Sequence, residues 1–255
     1  IIIMDYLVHI INKLFGGIDL PESKSKKWFK DNVSENEAEL ITIGGMADEM
    51  LHKTISLGLT EPMTTITLYA SIFETLCDVV VDREKEYDDF NLNVADRMEI
   101  GYSTTANDDD EKTGNYMVYI RHLESKASDT SLDEDEDDTI ELCTQWNAAN
   151  IRVQADIIKE AAARAMKDLS DIINIKVQSS EFVIPMFCII HSQILKFIRT
   201  RREETKRTEY ELNVAGLFTI GVQITEDGDE EIYYVPSIAL KLKFKNDAIA
   251  SGRDE

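Results

Sequence analysis

The sequence predicts an α+β fold. Its N-terminal and central parts are mainly helical, with an antiparallel β-hairpin near 97–123 and a C-terminal antiparallel β region over 209–245. Three observations lead there. Leu142, Trp146, Ala149, Val153, Ile157, Ala161, Ala165, Leu169 and Ile172 recur every three or four positions, the spacing of one helix face. Met98, Ile100 and Tyr102, then Tyr116, Val118 and Ile120, recur every second position on either side of a turn-rich acidic stretch, the period of paired strands. Phe218, Ile220, Val222 and Ile224 alternate in the same way, as do Leu240, Leu242 and Phe244 with Lys241, Lys243 and Lys245 between them.

The elements follow in order. Ile2 to Phe15 reads as a helix ended by Gly16-Gly17. Leu20 to Asn32 reads as a polar connection with a basic knot (Lys24, Lys26, Lys27, Lys30) around Trp28 and Phe29. Basic residues beside aromatics are one pattern for binding nucleic acid, but a single knot in an acidic chain reads as a solvated loop pinned by a buried Trp28. Ser34 to Leu57 is a second helix, opened by a capping box with Glu37 three residues beyond Ser34. Gly44-Gly45 inside it weakens the helix and points to a close contact or a break. Thr60-Glu61-Pro62 opens a third helix, with proline in the first turn, that runs to about Tyr87.

After the hairpin and an acidic connection, 139–207 reads as a long helical pair. Its second arm starts near Ser180 and is apolar almost all round from Phe182 to Ile198. His191, Ser192, Gln193 and Lys196 interrupt that run and Pro185 sits inside it, so a buried helix is expected and no membrane span. Residues 208–246 read as strands, with a turn at Glu226–Asp229 and an edge or bulge at Pro236. The whole is expected to be one domain over 1–255, with 104–114 and 124–138 as mobile acidic loops. No internal repeat is read.

Charge restricts function. The net charge is −22, and Thr104–Asp138 alone carries twelve acidic residues against three basic ones. Direct nucleic-acid or anionic-membrane binding by the bulk surface is therefore disfavoured. Cys77, Cys143 and Cys188 are far apart, odd in number and set in apolar helical contexts, which reads as three buried thiols in a reducing compartment. Ile1–Phe15 lacks a basic leader, so secretion by a signal peptide is not expected; the location expected is the cytoplasm, or a particle assembled there.

Motifs for chemistry are sparse. There is no P-loop, dinucleotide fingerprint, HExxH pair or nucleophile elbow, and no catalytic, cofactor-binding or metal-binding residue is assigned. Cys188 and His191, one helical turn apart, have the spacing of a nucleophile and its base, but a thiol in so apolar a stretch reads as packing. The reading is a non-enzymatic structural or assembly protein whose partners are copies of itself or a larger assembly, a pattern that suits a virus or phage particle component. Lys241, Lys243, Lys245, Arg201, Arg202, Asp133, Asp135 and Asp137 are the candidate interaction residues. The alternative is an acidic regulator that mimics nucleic acid and occupies a basic site on a partner protein; a second alternative is an enzyme of unrecognised class.

Overall fold

Seven helices and two three-stranded antiparallel sheets make up the described part of the chain in a computed structural model. The structure describes residues 23–55, 61–83, 87, 89–105, 115–123, 139–171 and 175–250. Helix α1 spans Lys24–Asn32, α2 Glu37–Ile55 and α3 Pro62–Asp82. Strands β1 (Phe90–Val94), β2 (Met98–Thr105) and β3 (Asn115–His122) form the first sheet in that order. Helices α4 (Thr139–Asn150) and α5 (Ala155–Asp171) follow, then a 3-10 turn at Ser180–Phe182 that leads into α6 (Val183–Thr205). Strands β4 (Glu209–Val214), β5 (Phe218–Ile224) and β6 (Glu230–Pro236) form the second sheet, and α7 (Ile238–Ala250) closes the described chain.

The α+β class is as the sequence predicts. The core lies around α3 and α6, which are buried almost all round. Both begin on sequence signals: Pro62 opens α3, and Pro185 sits in the first turn of α6, where its missing N–H costs nothing. Lys206 ends α6 in the left-handed region (φ 53°), its N–H returning to the carbonyls of Arg202 and Glu203.

Contrary to the sequence reading, the described residues form two units that repeat one pattern. The chain's only two tryptophans mark the register. Trp28 and Trp146 each offer a backbone carbonyl to an asparagine amide four residues on, Asn32 at 2.8 Å and Asn150 at 2.9 Å. Four residues further, Asn36 and Gln154 both adopt positive φ (56° and 55°) and each opens the next helix. The buried positions of those helices then match: Leu40, Ile43, Ala47 and Leu51 in α2 against Ile158, Ala161, Ala165 and Leu169 in α5. In the sheets, Leu92-Asn93-Val94-Ala95 corresponds to Leu212-Asn213-Val214-Ala215, and Ile100-Gly101 to Ile220-Gly221. Leu92 pairs with Ile100 as Leu212 pairs with Ile220, and both tight turns run through positive φ at Ala95-Asp96 and Ala215-Gly216. Asn93 and Asn213 each accept the N–H three residues on, both at 2.8 Å.

The two units exchange contacts. Gln154, at the head of α5, accepts the Asn93 N–H of the first sheet at 2.9 Å and donates to the Asn91 carbonyl at 2.7 Å. Asn36, at the head of α2, accepts the Asn213 N–H of the second sheet at 3.1 Å. Helix α2 accordingly packs on α6 and α5 on α3, while β3 lies beside β6 without a shared hydrogen-bond ladder.

Several sequence expectations are corrected. The long helical pair over 139–207 is three helices, because a break at 151–154 with Gln154 at positive φ separates α4 from α5; Trp146 is half-buried and Val153 exposed. Leu20–Asn32 includes a helix, α1, anchored by the fully buried Phe29, with Trp28 only partly covered. The second helix starts at Glu37, after the positive φ of Asn36. The hairpin near 97–123 gains a third strand, β1, and Thr104 and Thr105 belong to β2. The run Leu240–Lys245 is helix: Leu240 and Phe244 face the core four residues apart, and β structure ends at Pro236. The expected helix at Ile2–Phe15, and the acidic loops over 106–114 and 124–138, lie outside the described residues.

Candidate functional site

Cys188, His191, Ser192, Leu195 and Arg199 share one face of α6, set by their spacing of three, four, seven and eleven residues. Facing them are Arg97, which follows the β1–β2 turn, and His122 and Leu123 at the end of β3. Between α6 of the second unit and this end of the first sheet lies a cavity of about 200 Å³. The Leu123 N–H donates to the Arg97 carbonyl at 3.1 Å and closes that end of the sheet; Ser237 and Leu217 repeat the bond at 3.0 Å in the second unit.

His191 sits deeper, between two tyrosines. Its Nδ1 is 3.0 Å from the Tyr69 hydroxyl on α3 and its Nε2 is 3.0 Å from the Tyr234 hydroxyl on β6. One hydroxyl donates to the bare ring nitrogen, and the protonated nitrogen donates to the other hydroxyl. Phe187 stacks on Tyr69 with ring centres 4.7 Å apart. Burial, with a smaller electrostatic push in the same direction from His122 and Arg97, holds the His191 pKa down to about 3, so the imidazole is neutral at physiological pH. Burial pushes the Cys188 thiol up to about 12, with the Arg97 charge acting in the opposite sense. The Cys188–His191 spacing that suggests a nucleophile therefore belongs to a protonated thiol and an imidazole whose nitrogens are both engaged.

The cavity is polar on one side. Arg199 donates from Nε to Glu230 at 2.6 Å, and the same carboxylate takes Arg202 at 2.9 Å. Arg97 forms no ion pair among the described residues, and its buried Nε has no hydrogen-bond partner. At the equivalent positions of the second unit stand Leu217 and Pro236, in place of Arg97 and His122. The repeat is thus broken in charge at this point.

The sequence-predicted interaction residues are dispersed. Lys241 is exposed on α7, and Lys243 of the same helix forms an ion pair with Asp78 on α3. The Lys245 side chain and Asp133, Asp135 and Asp137 lie outside the described residues. Arg201 pairs with Glu204 at 3.0 Å and lies over the Phe197 ring; Arg202 is buried against Glu230. Arg201 is nonetheless exposed, whereas Arg202 is buried. Sequence reasoning did not single out Tyr69, Arg97, His122 or Tyr234, which come to this region from four separate segments; the available signal was Arg97 standing where the second Leu-Asn-Val-Ala segment is followed by Leu217.

The surface carries a second feature. Ile238 and Leu242, one turn apart on α7, are 77% and 50% exposed, with Lys241 between them. Val235 just before them and Met117 on β3, against which α7 packs, are also exposed. Among the described residues no group of three or more His, Cys, Asp or Glu is placed to hold a metal ion. Pro62–Asp82 and Ser180–Thr205 are long and apolar enough to cross a membrane, and here form the core, with 83% and 78% of their most apolar windows buried.

Compared with family models, curated proteins and solved structures, the chain matches none.

Proposed function

We propose that this protein is a non-enzymatic assembly protein that works through protein–protein contacts, and that the β6–α7 corner is its docking surface. The observation that carries this reading is the outward face of α7, where Ile238 and Leu242 present apolar side chains to solvent while Leu240 and Phe244 are buried on the other side. A helix with apolar residues on both faces satisfies one in its own core and leaves the other for a partner. The exposed Lys241 between them can form a local ion pair with a carboxylate of a second copy, so an apolar contact here works against the general repulsion between two chains at −22.

Light scattering on a sizing column across a concentration series tests the reading, with wild type beside Ile238→Glu/Leu242→Glu. A discrete oligomer in wild type that the double variant converts to monomer supports it. A wild-type monomer at every concentration, or an oligomer indifferent to the double variant, overturns the assignment of this corner to self-association.

A further inference from the structure

The cavity beside α6 suits a different kind of partner. We infer that it is a binding site for a small organic monocarboxylate, held by Arg97, with its apolar body against Leu123 and Leu195.

The charges around the cavity set the ligand's charge. Arg199 is ion-paired with Glu230, 2.6 Å from its Nε, a carboxylate that it shares with Arg202. His191 is fully engaged by Tyr69 and Tyr234. Among the described residues, Arg97 forms no ion pair, its buried Nε has no hydrogen-bond partner, and no carboxylate lines the space it faces. An arginine at a cavity wall with no carboxylate beside it among the described residues can receive an incoming anion. One free guanidinium matches one carboxylate, which it grips with two parallel N–H bonds. The cavity, about 200 Å³, holds several non-hydrogen atoms where one water needs only roughly 10–15 Å³. Leu123, Leu195 and the protonated Cys188 thiol supply apolar wall, and the Ser192 hydroxyl is a further polar contact. The repeat gives an independent argument. The same position in the second unit is Leu217, so the scaffold does not require an arginine here to fold its β1–β2 turn.

The test is thermal unfolding and titration calorimetry of the whole protein with acetate, butyrate, benzoate and inorganic phosphate, each against sodium chloride at equal ionic strength. Wild type is compared with Arg97→Leu, which installs the second unit's residue; with Arg97→Lys, which keeps the charge and loses the fork; and with Lys176→Gln, an exposed control. Saturable stabilisation by butyrate or benzoate is expected, unchanged in Lys176→Gln, weakened in Arg97→Lys and reduced in affinity by about tenfold or more in Arg97→Leu. No stabilisation by any carboxylate overturns the inference. So does binding that survives Arg97→Leu, and so does stabilisation by phosphate alone. The readout is independent of oligomeric state, so it stands or falls separately from the docking role of α7.

Discussion

The Nε2 of His191 lies 3.0 Å from the Tyr234 hydroxyl, and this bond ties the core helix of the second unit to its own outer strand. The opposite nitrogen reaches Tyr69 on α3, so a single imidazole links both core helices and one sheet. Its folded-state pKa of about 3 lies well below the 6.5 of a free histidine. The unfolded chain therefore binds a proton between those values that the folded chain refuses. Stability is whole above about pH 6.5 and falls as pH drops towards 3, by one proton's worth of slope. Carboxylates contribute their own acid slope, so the diagnostic is a difference. His191→Gln should be less stable than wild type at pH 8 by about 2–3 kcal/mol, and the gap should narrow steadily below pH 6 in urea-unfolding series. A gap that stays constant with pH would show that the imidazole is not held neutral.

Gly44 and Gly45 make a matched pair with opposite expected signs. A Cβ on Gly44 would come 2.2 Å from the Pro62 carbonyl oxygen, which is backbone and cannot step aside, whereas one on Gly45 would find its nearest neighbour at 3.9 Å. Gly44→Ala should destabilise by about 3 kcal/mol, because α2 must move off the start of α3. Gly45→Ala should stabilise by about 0.5–1 kcal/mol through helix propensity alone. The second unit has Ala162 at the place of Gly44, and there α5 lies less closely against α6. Thermal denaturation of the two single variants decides it, and equal effects would refute the close approach.

Local signals in the sequence predict what is locally determined. Pro62 and Pro185 mark helix starts, and the alternation of Phe218 through Ile224 marks a strand, because each depends on neighbours within one or two turns. The run Leu240–Lys245 misleads because six residues satisfy either period, and the helix is set by tertiary packing that buries Leu240 and Phe244, the latter beside Tyr102 over a hundred residues away. The repeat is hidden for a related reason. Its units share a tryptophan, two asparagines and two short motifs, while their helices share burial and little identity, and the first β2–β3 connection is longer than the second. Arg97 and His122 meet α6 only after folding, so no spacing in the sequence could announce the cavity.

The three cysteines should be silent in the native protein. Cys77, Cys143 and Cys188 are all free and buried. Burial pushes the Cys143 and Cys188 thiols up to about 12 and the Cys77 thiol higher still. Iodoacetamide at pH 8 should label none of them within an hour under native conditions and all three in urea, as counted by intact mass. Prompt native labelling at Cys188 would mean that the cavity opens wide enough to reach the thiol.

The links between units make the last prediction. Gln154 holds a positive φ of 55° and spends both ends of its amide on the first sheet, at Asn91 and Asn93. Gln154→Ala keeps the strained backbone and loses both bonds, leaving the Asn93 N–H without its acceptor. A loss of about 2 kcal/mol is expected. Gln154→Gly relieves the backbone and loses the same bonds, so it should cost about 1 kcal/mol less than the alanine variant. Asn36 holds the matching position on the second sheet with one bond to Asn213, so Asn36→Ala should cost less than Gln154→Ala. Urea unfolding of the three variants measures the order directly. If Gln154→Gly proves the worst of them, backbone strain is absent at this position and the side-chain bonds alone join the units.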